Sequence, residues 1–297
     1  MPETAHVDVT SASQVARIVS TQSTSNGIRY GTYGDVQIAA SDLSRLVEAV
    51  PKAIASALHQ KRYFFVPLTL GESFVPGSAE VAPDPGPDRV MIAAEFSTEL
   101  SDAAICHRNA IVDGMECVFI STRLMQDRFA LAFEFYINAG HHFVDAAGVP
   151  ESFMSLVWTQ ATAGIRGETS QDAWESRMKA GAEMKLDQPE NQASGSRLKS
   201  RRLRIAPTGP AQNDRQSALD RNAVDEKARN EYFGAAFADA VAIYLLSLTV
   251  DFDYAELRER EYPLLVAPAL AERLRHVAQL FPPNSGYEFS VRYRRAR

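Results

Sequence analysis

Five polar side chains, Glu134, Asn138, His141, His142 and Asp145, stand in a segment that is otherwise apolar, Phe133-Glu-Phe-Tyr-Ile-Asn-Ala-Gly-His-His-Phe-Val-Asp145. At about 100° per residue in a helix they fall within one arc of roughly 100°. A polar stripe on a helix buried on its other faces is how such an element contributes to a site inside a protein. Two adjacent histidines with carboxylates beside them can hold a metal or move a proton. The plainer account is that these groups hydrogen-bond one another and nearby backbone, since buried polar groups must be satisfied. Far downstream, Asn230-Glu-Tyr-Phe-Gly-Ala-Ala-Phe-Ala-Asp239 places Glu231 and Asp239 within about 80° of each other, again among small and apolar residues. Glu231 could equally sit at an ordinary exposed helix end.

The elements that must position these groups are legible in outline. No helix breaker except Gly140 interrupts residues 127–147, so one long helix is expected there, closed by Gly148-Val-Pro150. A second strong helix is expected over 223–248 and a third over 268–280. Ser41 reads as the N-cap of a helix running to about His59, with Leu43, Leu46, Val47, Val50, Ile54 and Leu58 forming its core stripe and Pro51 a possible kink. Strands are expected over residues 36–39, 62–70, 90–96, 116–121 and 287–293, with a turn at Val112-Asp-Gly-Met. Residues 187–222 are polar and rich in Gln, Asn, Ser, Gly and Pro, which predicts a loop or insertion. Its basic knot, Arg197-Leu-Lys-Ser-Arg-Arg-Leu-Arg204, could grip a phosphate or an acidic peptide, or be a solvated face.

With 297 residues, 45% of them hydrophobic, the chain can bury a sizeable core. The expected organisation is an N-terminal α/β part over 1–148 that ends in the stripe-bearing helix. A mostly helical part over 149–297 follows, the two forming one compact unit. A net charge of −6 offers no field for nucleic acid or anionic lipid. The first residues lack the basic start and apolar run of a secretory signal, and the longest apolar stretch, 240–250, is far shorter than the roughly 20 residues that cross a bilayer. A cytoplasmic protein without nucleic-acid or membrane partners is expected. Cys106 and Cys117 lack a CxxC spacing and read as inert thiols.

Taken together, these segments resemble zincin metallopeptidases, especially the lethal-factor-like group of gluzincins and more loosely the MtfA-like group. The resemblance covers about residues 41–281 and rests on the order of Leu46-Val-Glu-Ala-Val-Pro, Tyr63-Phe-Phe-Val-Pro, Cys117-Val-Phe-Ile-Ser-Thr and the helix that follows. It implies an α+β fold in which a mixed sheet packs against an active-site helix and the C-terminal half is mostly helical. In that family the helix carries H-E-x-x-H, often followed by x-x-D, and a downstream E-x-F-A-E-A-F-like helix supplies the third zinc ligand. Aligned on Asp145, His142 matches the second ligand. Asn138 replaces the first, however, and Ala139 stands where the catalytic Glu belongs. Glu231 matches the third ligand, and Ala235 occupies a position where a second Glu is common.

An Asn amide is a poor ligand and alanine cannot accept a proton, so the resemblance implies a scaffold in which peptide hydrolysis by the family mechanism is absent or nearly so. Zinc is expected where the motif is intact, as in a parent sequence, and a peptide or protein is the expected substrate or ligand. Three explanations stay open: a natural pseudoenzyme, an engineered inactive variant, or a scaffold reused for other chemistry through His141, His142, Glu134 and Glu231. Two other classes compete. His141-His-Phe-Val-Asp145 also fits the HxxxD of CoA-dependent acyltransferases with His141 as base, which requires a strand entering His141, and a non-enzymatic interaction module would show a filled, dry interior.

Overall fold

The computed structural model describes residues 9–71, 90–124, 127–181, 213–257 and 262–292. Among these residues the chain is α+β, with two sheets and a helical second half. Strands β1 (Val9–Ser11), β2 (Gln22–Ser23), β3 (Arg29–Thr32), β4 (Lys61–Val66), β5 (Leu68–Leu70), β6 (Met91–Ala93), β7 (Ala104–Ile105), β8 (His107–Val112) and β9 (Met115–Ser121) are joined by helix α1 (Ala12–Ile18) after β1, by α2 (Ala40–Glu48) and α3 (Lys52–Ala55) before β4, and by α4 (Thr98–Ser101) before β7. Then come α5 (Arg128–Ala147), α6 (Glu151–Thr162), α7 (Gln171–Lys179), α8 (Asn213–Ser247) and α9 (Ala267–Leu280).

The larger sheet has the order β2-β3-β4-β9-β8, with β3, β4 and β9 parallel and β2 and β8 antiparallel at its margins. The smaller sheet, β1-β6-β5-β7, is antiparallel. Pro67 separates them. A single strand over 62–70 was expected, but proline has no N–H to give a ladder and the chain changes sheets there, β4 joining one and β5 the other.

Other expectations need correction. Pro51 does more than kink the helix expected over 41–59: the chain divides into α2, α3 and a 3-10 turn at Ser56–Leu58. Ala39, not Ser41, is the N-cap of α2. Residues 36–39 form no strand, since Gln37 adopts φ 49°, which is incompatible with extended backbone. The described residues 287–292 are likewise not a strand. Of the polar stretch 187–222, residues 187–212, with the basic knot, lie outside the described residues. Residues 213–222 begin α8 rather than ending a loop.

The site-bearing elements form for local reasons. The Asp127 carboxylate accepts the Phe129 N–H at 3.0 Å to cap α5, and Gly148, at φ 72°, ends it. Asp113 and Gly114, both at positive φ, make the two-residue turn that folds β8 back on β9. One face of α5 lies on the larger sheet, where Tyr63 and Phe65 meet Phe135, in the same fully buried core as Ile120. Another lies on α8. A Cβ at Gly140 would come 2.6 Å from the Ala238 carbonyl oxygen, so the absence of a side chain there is what lets the two helices approach. Gly234 faces Val144 one turn away, so the helices run antiparallel. Among the described residues, no helix is long and apolar enough to cross a membrane.

Candidate functional site

A cleft of about 880 Å³ opens between β8, α5, α8 and the turn leading into α7. Glu134, Asn138, His141, His142 and Asp145 all line it, so the polar arc of α5 faces this space. The edge strand contributes His107, Asn109 and Ile111, the last 64% exposed. From the lower ends of β4 and β9 come Lys61 and Glu116, joined as an ion pair.

The groups on α5 are tied down unequally. Glu134 Oε1 lies 2.5 Å from His107 Nδ1, linking the helix to the edge strand, and it also accepts the Asn138 Nδ2 hydrogen at 3.1 Å. A second Asn138 Nδ2 bond, at 2.8 Å, goes to the Glu134 carbonyl oxygen. His142 is only 6% exposed, and its Nδ1 sits 3.3 Å from the buried Tyr63 hydroxyl. Burial, helped by the charge of Lys61 and opposed by Glu116, pushes the His142 pKa down to about 4, so the ring is neutral at pH 7. Burial also raises the Tyr63 pKa above its ordinary range, which keeps the phenol protonated.

On α8, the residues that reach the cleft are Ala235, Asp239 and Ile243. Asp239 Oδ2 accepts the Thr169 hydroxyl at 2.7 Å, and Ser170 also bonds the carboxylate. Burial nevertheless outweighs both and raises the pKa from 3.8 to about 6. Because the folded value stands above the unfolded one, this group's contribution to stability is complete below about pH 4 and is lost as pH rises through 6. Asp239→Asn should therefore gain about 2 kcal/mol on the parent between pH 4 and pH 7. Parallel urea denaturation at the two pH values measures this, and a constant difference would contradict the assignment.

Behind Thr169 lies a buried ionic cluster that the sequence did not reveal. Glu168 is fully buried and accepts from Arg177 Nη1 at 3.1 Å, Arg273 Nη1 at 2.7 Å and the Tyr232 hydroxyl at 2.6 Å. Arg177 further donates to the carbonyls of Ala161, Ile165 and Gly167, fixing the chain between α6 and α7. The Thr169-Ser170 wall of the cleft is thus held by side chains drawn from three helices, Arg177 of α7, Tyr232 of α8 and Arg273 of α9.

Two predicted site residues fall elsewhere. Glu231 does not line the cleft; it is half exposed, with Lys227 Nζ 3.8 Å away. Ala139 is fully buried in the hydrophobic core and also does not line the cleft. The donors present do not fit a catalytic zinc. His142 has one ring nitrogen engaged with Tyr63, the Asn138 amide is turned to Glu134, Glu231 is outside, and Ala235 has no donor atom. No group of three His, Cys, Asp or Glu among the described residues is disposed to hold a metal.

The strand that an HxxxD acyltransferase requires before His141 is not found, because α5 is unbroken from Arg128 to Ala147. No disulfide joins Cys106 to Cys117, and burial raises the Cys117 thiol to about 11. Comparison with protein-family models, curated proteins and solved structures gives no match.

Proposed function

We propose that this chain is a zincin-type scaffold without peptidase chemistry, whose cleft holds an extended segment of a peptide or protein. The observation that carries this reading is the position of β8. It ends the larger sheet, no described strand pairs with its outer edge, and it forms one wall of the cleft. An open strand edge beside a groove is a template for an added strand, with main-chain hydrogen bonds giving affinity and the groove selecting side chains. A cleft of this size, rather than a filled interior, also favours binding over a purely structural role.

The absence of hydrolysis follows from the chemistry at three positions. Asn138 lacks an imidazole, Ala139 lacks a carboxylate and is enclosed by the core, and Ala235 offers nothing to a metal. The packing around Ala139 favours a natural pseudoenzyme over a variant made by trimming a catalytic Glu. Incubation with a degenerate peptide library, with and without added zinc, followed by mass spectrometry is expected to show retained peptides and no cleavage products. Zinc-dependent cleavage that a chelator abolishes would overturn the reading.

A further inference from the structure

Among the described residues, the charge of the cleft is one-sided. Glu116, Glu134, Asp145, Asp172 and Asp239 line it, against Lys61 as the lysine or arginine on its walls. Lys61 is engaged by Glu116, Glu134 by His107 and Asn138, and Asp239 by Thr169 and Ser170. Asp145 and Asp172 remain. Both are exposed, and among the described residues neither has a hydrogen-bond or ion-pair partner. Asp145 lies in the last turn of α5, where the partial negative charge of the helix end adds to its own. Asp172, in the first turn of α7, stands beside the Thr169-Ser170 wall.

We infer that the segment taken up along β8 is basic, with lysine or arginine at alternate positions directed toward Asp145 and Asp172. This rests on the strand-addition reading: the open edge defines the site, and the carboxylates decide which segment enters it. In an added strand every second side chain points to the same face, so those on the cleft side meet a surface with two uncommitted negative charges. An acidic segment would set like charges together in a partly enclosed space, where fields are focused rather than dispersed. The net charge of −6 acts in the same direction at longer range, raising the encounter rate with a cationic ligand at low salt.

The test uses three dye-labelled decapeptides of one β-prone sequence, carrying Lys, Gln or Glu at alternate positions, in fluorescence anisotropy at low and high salt. The Lys peptide is expected to bind at least about 10-fold more tightly than the Gln peptide at low salt, the advantage shrinking at high salt, with the Glu peptide weakest. The exposed double substitution Asp145→Lys/Asp172→Lys should reverse the order of the Lys and Glu peptides. Equal binding of the Lys and Gln peptides, or an unchanged order in the double variant, would overturn the charge inference while leaving strand addition intact. Binding of none of the three would overturn strand addition itself.

Discussion

Ala139→Glu is expected to lower the folding free energy by about 3–5 kcal/mol, the sum of overpacking a filled position and burying a carboxylate without a partner. Ala139 is fully buried in the cluster that joins α5 to the sheet and to α8, and the neighbouring Gly140 already brings the α8 backbone into contact. Ala139 itself does not line the cleft, so a longer side chain there starts from within the core. For a protein of this size the loss corresponds to a fall in Tm of roughly 10 °C. Thermal denaturation of the variant against the parent measures it, and a variant as stable as the parent would mean that position 139 can open on the cleft as a catalytic glutamate must.

The second large effect concerns metal. Asn138, His142 and Ala235 line the same cleft from two antiparallel helices. Asn138→His with Ala235→Glu therefore completes two histidines and a carboxylate around one space, the set that catalytic zinc uses, and leaves the core at Ala139 untouched. The double variant is expected to bind zinc at least about 100-fold more tightly than the parent, by competition against a chelating dye. Asn138→His alone, relying on Glu231 for the third ligand, should gain far less, because Glu231 is outside the cleft beside Lys227. Tight zinc in the single variant would show that Glu231 swings inward. Neither variant is expected to cleave peptides, as both lack the general base.

The stripe on α5 was legible because helical periodicity is a local property. Once residues 127–147 read as a helix between Asp127 and Gly148, the common face of Glu134, Asn138, His141, His142 and Asp145 followed from 3.6 residues per turn. The α8 side was less legible. Sequence alone put Glu231 and Asp239 on one face, but which part of that face meets the cleft depends on the contact between Gly140 and Ala238, which no local pattern encodes. The face presented is that of Ala235, Asp239 and Ile243.

Longer-range features were hidden for similar reasons. The strand β8 contains His107, Arg108 and Asn109, which lack the β-branched character that marks a strand, and it is held in place by pairing with β9. The cluster of Glu168, Arg177 and Arg273 unites residues up to 105 positions apart, and each arginine by itself reads as an ordinary exposed helix residue. Pro67 was plain in the sequence. That it hands the chain from one sheet to another is a property of the assembled strands.

The most direct test of the central claim is amide hydrogen exchange along His107–Val112 with and without a saturating extended peptide, while the peptide is followed by mass spectrometry. Occupation of the cleft by an added strand predicts slower exchange at alternate amides of β8, those facing outward, with the peptide recovered intact. Unchanged exchange along β8, or a peptide recovered in fragments, would contradict it.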